Sequence, residues 1–545
     1  MKKRTKIIVI ILAAALVLGG LSLYYLRYSR STLAVGFRGW AKSILVNVGA
    51  PDKEQALSEA KKALPKGWRL VDDDIVGFTL GLPKDAERID GATPGIAVFE
   101  GDGYRVTVTR EWSVEGNVPD YVSHYYNRFI LDEGYQAENG LTLISHDVEP
   151  GHDLVVLRID DYDGLDTYAY ANFFSSTQIF HRVMVKYDSD SRAAEHMTQA
   201  ILNTFRSYRG ENIQPSQTVY NPVANPSWND ETRALYDRIC ATGSTLWGIF
   251  VNKGATEGLD VTIPAMEDVI GYDFEVVLGY AHSSYCGEIM EFPTEFMEKA
   301  YANGKIIELT YQLTDHNNEK LFAASPMLDL YKTGDNEAIR EFARGAAEFG
   351  HPFLFRLNNE MNSDWTNYSG VVNLQDPDIY IETWRTIFRI FDEEGATNAI
   401  WIWNPHDRSF PPAEWTHYLA YYPGNEYVHM LGVTGYNNGT YYAKQHNEKW
   451  REFDEIYTAI EEEMGTNFAE FPWIITEFAS SSIGGDKAKW IDGMFNSIEK
   501  HGNIKIAVWF SSADHDENGA VARPYWLDET QETLEAFARG RARQG

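Results

Sequence analysis

Two patterns of hydrophobic residues follow one another along the chain, and they predict two kinds of fold. In residues 50–208, short runs alternate apolar and polar side chains, which is typical of antiparallel strands with one wet face. These runs are residues 104–109, 141–144, 154–159, 168–174 and 180–187. Helical spacing is predicted at residues 121–130 and 191–205. We therefore expect a small α+β domain here, with a binding or spacing role.

The second pattern, in residues 230–545, alternates short apolar strands with helical stretches. Eight strands are predicted near residues 246, 274, 305, 353, 399, 429, 473 and 504, with helices that include residues 335–349, 377–394, 448–464 and 486–500. The number and alternation of these elements are typical of an α/β fold, the (β/α)8 or TIM barrel; a doubly wound open sheet is the alternative. Polar and aromatic residues at the strand ends favour the barrel, because active sites lie there: Tyr280, Tyr311, Glu360, Asn404, Tyr436, Glu477 and Trp509.

A linker and a hydrophobic N-terminal segment complete the organisation. Residues 209–229 contain three prolines and little hydrophobic periodicity, as a linker does. Residues 1–30 begin with the basic stretch MKKRTK, followed by an almost wholly apolar run over residues 7–26 that is long enough to cross a bilayer. We expect a transmembrane anchor with a cytoplasmic basic stub, which places everything after about residue 30 outside the cell. The alternative is a cleaved signal peptide and a secreted protein.

Composition narrows the possible partners. The chain has 79 acidic and 48 basic residues among 545, a net charge of -31, which argues against binding to nucleic acid or to an anionic membrane surface. The two cysteines, Cys240 and Cys286, could pair outside the cell or stay free, and alone they cannot build a metal site. We predict no metal and no cofactor. Asp514 begins a calcium-like loop that lacks the glutamate expected at its twelfth position, so we interpret it as a solvated loop.

Two strand-terminal glutamates carry the candidate chemistry. In retaining glycoside hydrolysis one carboxylic acid protonates the leaving oxygen while a second carboxylate attacks the anomeric carbon. Glu360 is the better acid/base candidate, since the neighbouring Asn359 amide could hold a sugar hydroxyl. Glu477 is the better nucleophile, because its strand fixes it and Tyr436 could donate a hydrogen bond to it. Arg356 could be the charge partner that keeps a carboxylate ionised. An inverting enzyme would use the same residues at a wider spacing, which sequence cannot measure.

Aromatic residues make the substrate class more concrete. Tryptophans near the strand ends could stack their flat faces on sugar rings, and together with the acidic charge they suggest a neutral carbohydrate. They are Trp247, Trp365, Trp403, Trp509 and Trp526. The predicted substrate-binding set is Arg356, Asn359, Trp365, Trp403, Asn404, Tyr436 and Trp509. His282, His316 and His406 could line subsites or serve structural roles.

The segment RLNNEMNSDW, residues 356–365, resembles the acid/base motif of glycoside hydrolase family 26. WIWNP at 401–405, TGYN at 434–437, ITEF at 475–478 and VWF at 508–510 follow in the order that this family uses. The resemblance covers about residues 235–540 and implies a retaining β-glycanase of a large clan of (β/α)8 hydrolases, with Glu360 as acid/base and Glu477 as nucleophile. Members act mostly on β-mannan, with a few on β-glucans or β-1,3-xylan. Asn359 departs from the histidine usual at that position, which puts mannan specificity in doubt. The first domain resembles, in outline only, the PsbP and Mog1 domains.

The predicted function is that of a membrane-anchored, outward-facing endo-β-glycanase that cleaves a β-linked polysaccharide, with β-1,4-mannan as the leading substrate. One alternative is a hydrolase of the same clan that acts on an unusual cell-surface polysaccharide or exopolysaccharide. Another is a surface protein whose barrel binds glycan without cutting it. The presence of both glutamates favours the enzyme. The sequence indicates no protein partner.

Overall fold

The computed structural model describes residues 52–113, 117–176, 178–189, 192–285, 288–315 and 324–544. They cluster into two compact units. The first comprises the described residues up to His124 together with Ile144–Val156 and Gly164–Gln214. The second comprises Tyr125–Leu143, Leu157–Asp163 and the described residues from Pro215 onward.

The region before the linker has α+β composition, with a three-stranded and a seven-stranded sheet. The strands are β1 (Arg69–Asp73), β2 (Phe78–Leu82), β3 (Glu87–Ile89), β4 (Ile96–Gly101), β5 (Tyr104–Trp112), β6 (Leu141–Glu149), β7 (His152–Ile159), β8 (Thr167–Phe174), β9 (Ile179–Tyr187) and β10 (Arg206–Ser207). The larger sheet has the order β3-β4-β5-β9-β8-β7-β6, and the smaller one β1-β2-β10. Alternate residues such as Phe78, Val106 and Val183 form one buried cluster with Phe205, which follows the last helix of this region.

Five helices accompany these sheets within the described residues. They are α1 (Lys53–Ala63), α2 (Val118–Tyr121), α3 (Asn127–Ile130), α4 (Glu133–Asn139) and α5 (Arg192–Thr204), with a π-helical turn, Val122–Tyr126, joining α2 to α3. Helices α3 and α4 belong to the second unit. The structure thus differs from the predicted boundaries, in which the whole of residues 50–208 forms one domain.

The second unit is built on a closed barrel of eight parallel strands. Its strands and short hairpins are β11 (Leu246–Val251), β12 (Val276–Tyr285), β13 (Glu288–Ile289), β14 (Ile306–Asp315), β15 (Phe353–Leu357), β16 (Ala399–Trp403), β17 (Met430–Thr434), β18 (Trp473–Phe478), β19 (Ile504–Ser511), β20 (Ala513–His515) and β21 (Val521–Pro524). Strand β11 pairs in parallel with both β12 and β19, which closes the ring. The predicted (β/α)8 barrel is confirmed, and the open sheet is excluded.

Helices cover the outside of the barrel. They are α6 (Asp230–Ala241), α7 (Ala255–Glu257), α8 (Ile263–Ile270), α9 (Thr294–Ala302), α10 (Pro326–Thr333), α11 (Glu337–Phe349), α12 (Pro377–Glu393), α13 (Phe453–Met464), α14 (Lys487–Ser497) and α15 (Gln531–Gln544). Local sequence sets their ends. The Asn336 side chain caps α11 by accepting from the Ile339 amide at 3.1 Å, and Gly350 ends it with a left-handed backbone.

Side chains of the barrel strands alternate between the interior and the helix layer. Leu278, Leu354, Ile402 and Ile506 belong to one buried cluster in the barrel interior. Their strand neighbours point outward, against the helices. This alternation decides which of the predicted site residues reach the open end of the barrel.

Three of the predictions fall on residues outside the described ranges. The candidate membrane anchor lies in residues 1–30, and Cys286 and His316 lie in gaps. Among the described residues, Cys240 is a free, exposed cysteine. Of the helices within the described ranges, none is long and apolar enough to span a bilayer.

Candidate active site

The polar end of β15 carries the first glutamate. Asn358 and Glu360 both have a left-handed backbone, with φ of 43° and 60°. Asparagine tolerates this conformation, whereas a glutamate in it is strained. The strain is held by tertiary hydrogen bonds: the Glu360 amide donates to the Asn404 carbonyl at 2.7 Å, and the Asn358 side chain accepts from the Leu313 amide at 2.8 Å. Strained backbone held in this way is typical of functional sites.

Hydrogen-bond donors surround the second glutamate, Glu477, at the end of β18. Its Oε1 accepts from Arg356 Nη1 at 2.9 Å and from Asn359 Nδ2 at 3.4 Å. Its Oε2 accepts from the hydroxyls of Tyr280 at 2.5 Å and Tyr436 at 3.1 Å. Each of these contacts favours the ionised carboxylate. The hydrogen bond from Tyr436 is the one expected from the sequence.

Glu360 lies in a different environment. The indole Nε1 of Trp365 donates to its Oε2 at 3.1 Å, and no other side-chain donor to this carboxylate is found in the described part of the chain. Burial raises the pKa of Glu360 to about 6, and the charge of Glu477 adds to that rise, while His406, Arg356 and the indole donor oppose it. Glu360 can therefore hold a proton near neutral pH.

Arg356 lies beneath Glu477 and is fully buried. Its Nε donates to Thr310 Oγ1 at 2.7 Å, and its Nη2 donates to the Tyr280 hydroxyl at 3.1 Å. Burial alone would lower the pKa of the guanidinium, but the neighbouring Glu477, Tyr280 and Glu308 side chains raise it above its ordinary value. The predicted role as charge partner fits this position, whereas the prediction that Arg356 contacts substrate does not.

Asn404 is also fully buried, below the opening of the barrel. Its Oδ1 accepts from Arg356 Nη1 at 3.0 Å and from Thr476 Oγ1 at 2.7 Å. Its Nδ2 donates to the Pro405 carbonyl and to Thr434 Oγ1, both at 3.0 Å. The predicted substrate contact is corrected accordingly, because every polar atom of this side chain is used to hold the site together.

Asn359 borders the reaction centre from the side. Besides its contact with Glu477, its Oδ1 accepts from Gln312 Nε2 at 2.9 Å and from the Tyr368 hydroxyl at 3.2 Å. These two donors fix the orientation of the amide, so that Nδ2 points toward Glu477. The sequence prediction missed both residues, since neither lies in a recognisable motif.

Trp365 keeps an exposed ring at the site. It is 45% exposed, and its ring meets His406 edge-on with centroids 4.6 Å apart. The ring centroid of Phe410 lies 5.8 Å from that of Trp365. A fixed aromatic face thus lies next to the candidate acid, and its stacking on a sugar ring stays a prediction.

The other two tryptophans of the predicted binding set are fully buried. Trp403 packs against Phe468 in the helix layer, and Trp509 packs against Trp490 and donates its indole N–H to the Tyr525 carbonyl at 2.9 Å. Both occupy outward-facing positions on their strands. The prediction that they stack on substrate is wrong, because each ring points outward from its strand and away from the opening of the barrel.

The loop that carries Glu360 is held from below by a part of the second unit that precedes the linker. The Tyr135 hydroxyl donates to the Val372 carbonyl. Asn139 Oδ1 accepts from the Ser325 amide at 2.7 Å, and Ser325 Oγ donates to Asn373 Oδ1 at 2.6 Å. Helix α4 thus stabilises the loop through buried polar contacts.

Within the described ranges no group of three or more histidine, cysteine, aspartate or glutamate side chains could hold a metal ion. The loop after Asp514 forms a hairpin between β20 and β21, in which Asp516 Oδ1 accepts from the Ala520 amide at 2.9 Å.

Comparison with known proteins finds a family to which this part of the chain is similar. Residues 270–493 match the model of glycosyl hydrolase family 26, a stretch that runs from the end of α8 to α14 and includes both glutamates. The predicted resemblance to this family is thereby confirmed for this stretch of the barrel.

A curated relative supports the same assignment. Endoglucanase H from Acetivibrio thermocellus is 32% identical over 221 residues, which cover 39% of this chain and 23% of that protein. The chain therefore spans less than a quarter of the length of that relative.

Solved structures of family 26 enzymes are also similar. An endo-beta-1,4-mannanase from Cellulomonas fimi has a TM-score of 0.42 at 17% identity, over 59% of this chain and 76% of that one. A beta-mannanase from Bacteroides ovatus has a TM-score of 0.42 at 19% identity, over 57% and 93%.

Within the barrel, two residues close to the candidate catalytic centre have no role predicted from the sequence. Tyr280 was noted only as a strand end, although it bonds to both Glu477 and Arg356. No role is predicted for Glu308, although its strand KIIELTY places an acidic side chain on the same face as Ile306, a residue of the barrel interior. An acid at an interior position of a buried strand was the available signal.

Proposed function

We propose that the protein is a retaining endo-β-glycanase in which Glu360 is the acid/base and Glu477 the nucleophile. One observation carries the assignment: two buried glutamates at the same end of the barrel have opposite environments. Glu477 accepts four hydrogen bonds, one of them from a buried guanidinium, whereas Glu360 accepts one from an indole. Such an arrangement separates an ionised nucleophile from a protonated acid.

The reaction would take two displacements. Glu360 gives its proton to the glycosidic oxygen while Glu477 Oε attacks the anomeric carbon, which releases the leaving chain and forms a glycosyl ester. Glu360, now ionised, takes a proton from water as the water oxygen attacks the same carbon. Glu477 then leaves as a carboxylate, and the product keeps the β configuration.

For the substrate, β-1,4-mannan is the leading proposal and a β-glucan the second. Mannan follows from the family resemblance and from the names of the similar solved structures. The β-glucan proposal is supported by the relative named an endoglucanase and by Asn359, which stands where the family usually has histidine. Asn359 donates toward Glu477, where the hydroxyl next to the anomeric carbon would lie. This hydroxyl has opposite orientations in mannose and glucose, so Asn359 is a candidate for discriminating between them.

The test is reducing-sugar release by the purified protein on β-1,4-mannan, mixed-linkage β-glucan and β-1,3-xylan. Glu477→Gln should fall to background, and Glu360→Gln should lose at least about 100-fold. Glu341→Gln, an exposed glutamate on α11, is the matched control and should keep full activity. Activity close to that of the wild type in either site variant contradicts the assignment.

Azide rescue distinguishes the two roles. On an aryl glycoside with a good leaving group, Glu360→Ala with azide should yield a β-glycosyl azide, because azide intercepts the ester. Glu477→Ala with azide should yield the α-glycosyl azide, since azide replaces the nucleophile. The opposite pairing would exchange the roles, and binding of a polysaccharide by the unmutated protein without hydrolysis would favour the glycan-binding alternative.

We also propose that residues 1–30 anchor the protein in the cell membrane with the barrel outside. The basic start and the apolar run over residues 7–26 support this location.

A further inference from the structure

A third carboxyl group lies under the proposed catalytic pair. Glu308, on β14, is fully buried in the barrel. Its neighbours in register on the adjoining strands are Leu278 and Leu354, both part of the interior hydrophobic cluster. Among the described residues, neither of its carboxyl oxygens has a hydrogen-bond partner. An acid in such a place is costly and calls for a functional explanation.

Glu308 and Glu477 share one cation. Arg356 Nε lies 3.3 Å from Glu308 Oε1, and Arg356 Nη1 lies 2.9 Å from Glu477 Oε1. These are the ion pairs of Arg356 in the part of the chain that the structure describes. The charged and titratable groups that face Glu308 are Arg356 from β15, Glu477 from β18 and, bonded to both of those, the Tyr280 hydroxyl from β12.

Charge balance decides which acid is ionised in the free protein. In a medium of low polarity, one guanidinium between two carboxylates would leave an uncompensated negative charge. Glu477 has four donors and Glu308 has none, so the proton belongs on Glu308. Consistently, burial raises the pKa of Glu308 to about 8; the nearby charge of Glu477 adds to the rise and Arg356 opposes it.

The proposed reaction changes this balance. When Glu477 becomes a glycosyl ester it carries no charge, so Arg356 loses its counter-ion. Loss of the Glu477 charge also removes one of the two causes that hold the proton on Glu308.

We propose that Glu308 is a positioning residue that takes over Arg356 as its counter-ion in the glycosyl-enzyme: protonated in the free enzyme, ionised once Glu477 is esterified. This proposal rests on the function proposed above. As the ester forms, the Glu308 carboxyl releases one proton to solvent, and it takes one back when Glu477 leaves the sugar. The set of Glu308, Arg356 and Glu477 therefore stays neutral at both stages.

The first test is infrared spectroscopy of the full chain, which resolves the band of a protonated carboxylic acid. Glu477→Gln serves as a stable mimic of the neutral, esterified nucleophile. At pH 7 the wild type should show the band, and in Glu308→Gln it should shrink to the part contributed by Glu360, whose pKa is about 6. In Glu477→Gln, the band of Glu308 should disappear at lower pH than in the wild type. Equal spectra for wild type and Glu308→Gln, or an unchanged midpoint in Glu477→Gln, would overturn the proposal.

Thermal unfolding is an independent measurement. Glu308 binds its proton more tightly folded than unfolded, so Glu308→Gln should gain in Tm over wild type as pH rises from 5 to 8, and the gain should then level off. We expect a change of at least about 3 °C. In the Glu477→Gln background, the gain in Tm caused by Glu308→Gln should be smaller and should level off at a lower pH. The control Glu341→Gln should show no such trend, and a trend equal in both backgrounds contradicts the linkage.

Kinetics connect the linkage to turnover. With an activated aryl substrate, the glycosyl-enzyme of the wild type should live longer as pH rises toward 8, since ionised Glu308 stabilises it, and in Glu308→Gln its lifetime should not follow pH in this way. If no substrate is cut although the spectra and the unfolding data behave as expected, the proposed function fails while the link between Glu308 and Glu477 stands. If turnover follows the proposed function but the lifetime profiles of the two proteins coincide, the role of Glu308 fails.

Discussion

At the scale of single residues, the different roles proposed for Glu360 and Glu477 rest on their neighbours and not on their own chemistry. The four donors around Glu477 come from three strands, β12, β15 and β17, so its environment depends on the barrel as a whole. Glu360 depends on a local contact, the indole of Trp365 five residues later. Glu360, the proposed acid, is thus the member of the pair whose pKa a single substitution can change.

Trp365→Phe should move the alkaline limb of kcat/KM to higher pH. The indole N–H stabilises the ionised form of Glu360 and so lowers its pKa from what burial alone would produce. Without that donor the pKa rises above about 6, and the acid keeps its proton to higher pH. Phenylalanine retains an aromatic face, so the activity at low pH should fall only modestly.

Trp450→Phe is the matched control for this substitution, since the indole of Trp450 donates to Glu452 Oε1 at 2.9 Å on the surface. Its pH profile should overlay that of the wild type. A limb that stays in place or moves to lower pH in Trp365→Phe would contradict the assignment of Glu360 as the acid.

Sequence reasoning succeeded for the residues whose role follows from lying at a strand end and failed for those whose role depends on direction. In this barrel both faces of a strand are apolar, so hydrophobic alternation does not reveal which side faces inward. Trp403 and Trp509 were therefore predicted to bind sugar although they face the helices. Arg356 and Asn404 lie at the predicted end of the barrel, but they are fully buried below its opening and do not contact substrate as predicted.

At the scale of elements, local signals predicted helix ends well where caps determine them. The helix predicted at residues 377–394 is observed at Pro377–Glu393, with Asp376 capping it. The helix predicted from residue 448 begins only at Phe453. Glu448 is drawn into tertiary contacts instead, accepting from the Tyr442 amide and pairing with Arg523, which no local pattern could show.

Tyr135→Phe should destabilise the protein by about 1–2 kcal/mol and lower kcat/KM. The substitution leaves the Val372 carbonyl, buried in the loop that carries Glu360, without its donor. Thermal unfolding and steady-state kinetics measure the two effects.

Tyr301→Phe removes a comparable hydroxyl from an exposed contact with Glu231 and should change stability by less than about 0.5 kcal/mol. A Tyr135→Phe protein as stable and active as this control would show that α4 does not support the loop.

At the scale of the whole molecule, counting repeats was enough to predict the barrel, because eight strand–helix pairs have few other ways to bury both faces of a parallel sheet. The division of the chain was harder to predict. Helices α3 and α4 precede the linker in sequence but cluster with the barrel, and only their tertiary partners reveal it. The outline resemblance of the first domain to PsbP and Mog1 stays a prediction.

The proposed membrane location predicts that the full-length protein sediments with membranes and resists extraction by alkaline carbonate, since an apolar run of this length inserts as a helix. Protease added to intact cells should digest the barrel. A variant that lacks residues 1–30 should be released in soluble form. Recovery of the wild type from the medium, trimmed at its N-terminus, would instead support the cleaved signal peptide.

The discontinuous second unit also has a consequence for inheritance. Its residues come from three separate stretches of the gene, Tyr125–Leu143, Leu157–Asp163 and the part from Pro215 onward. A recombination breakpoint in the codons of the linker, where module exchange is ordinarily harmless, would deliver a barrel without the helix that supports its acid-bearing loop. We therefore expect the two units to be inherited together, with recombination breakpoints that exchange neighbouring modules lying outside both units.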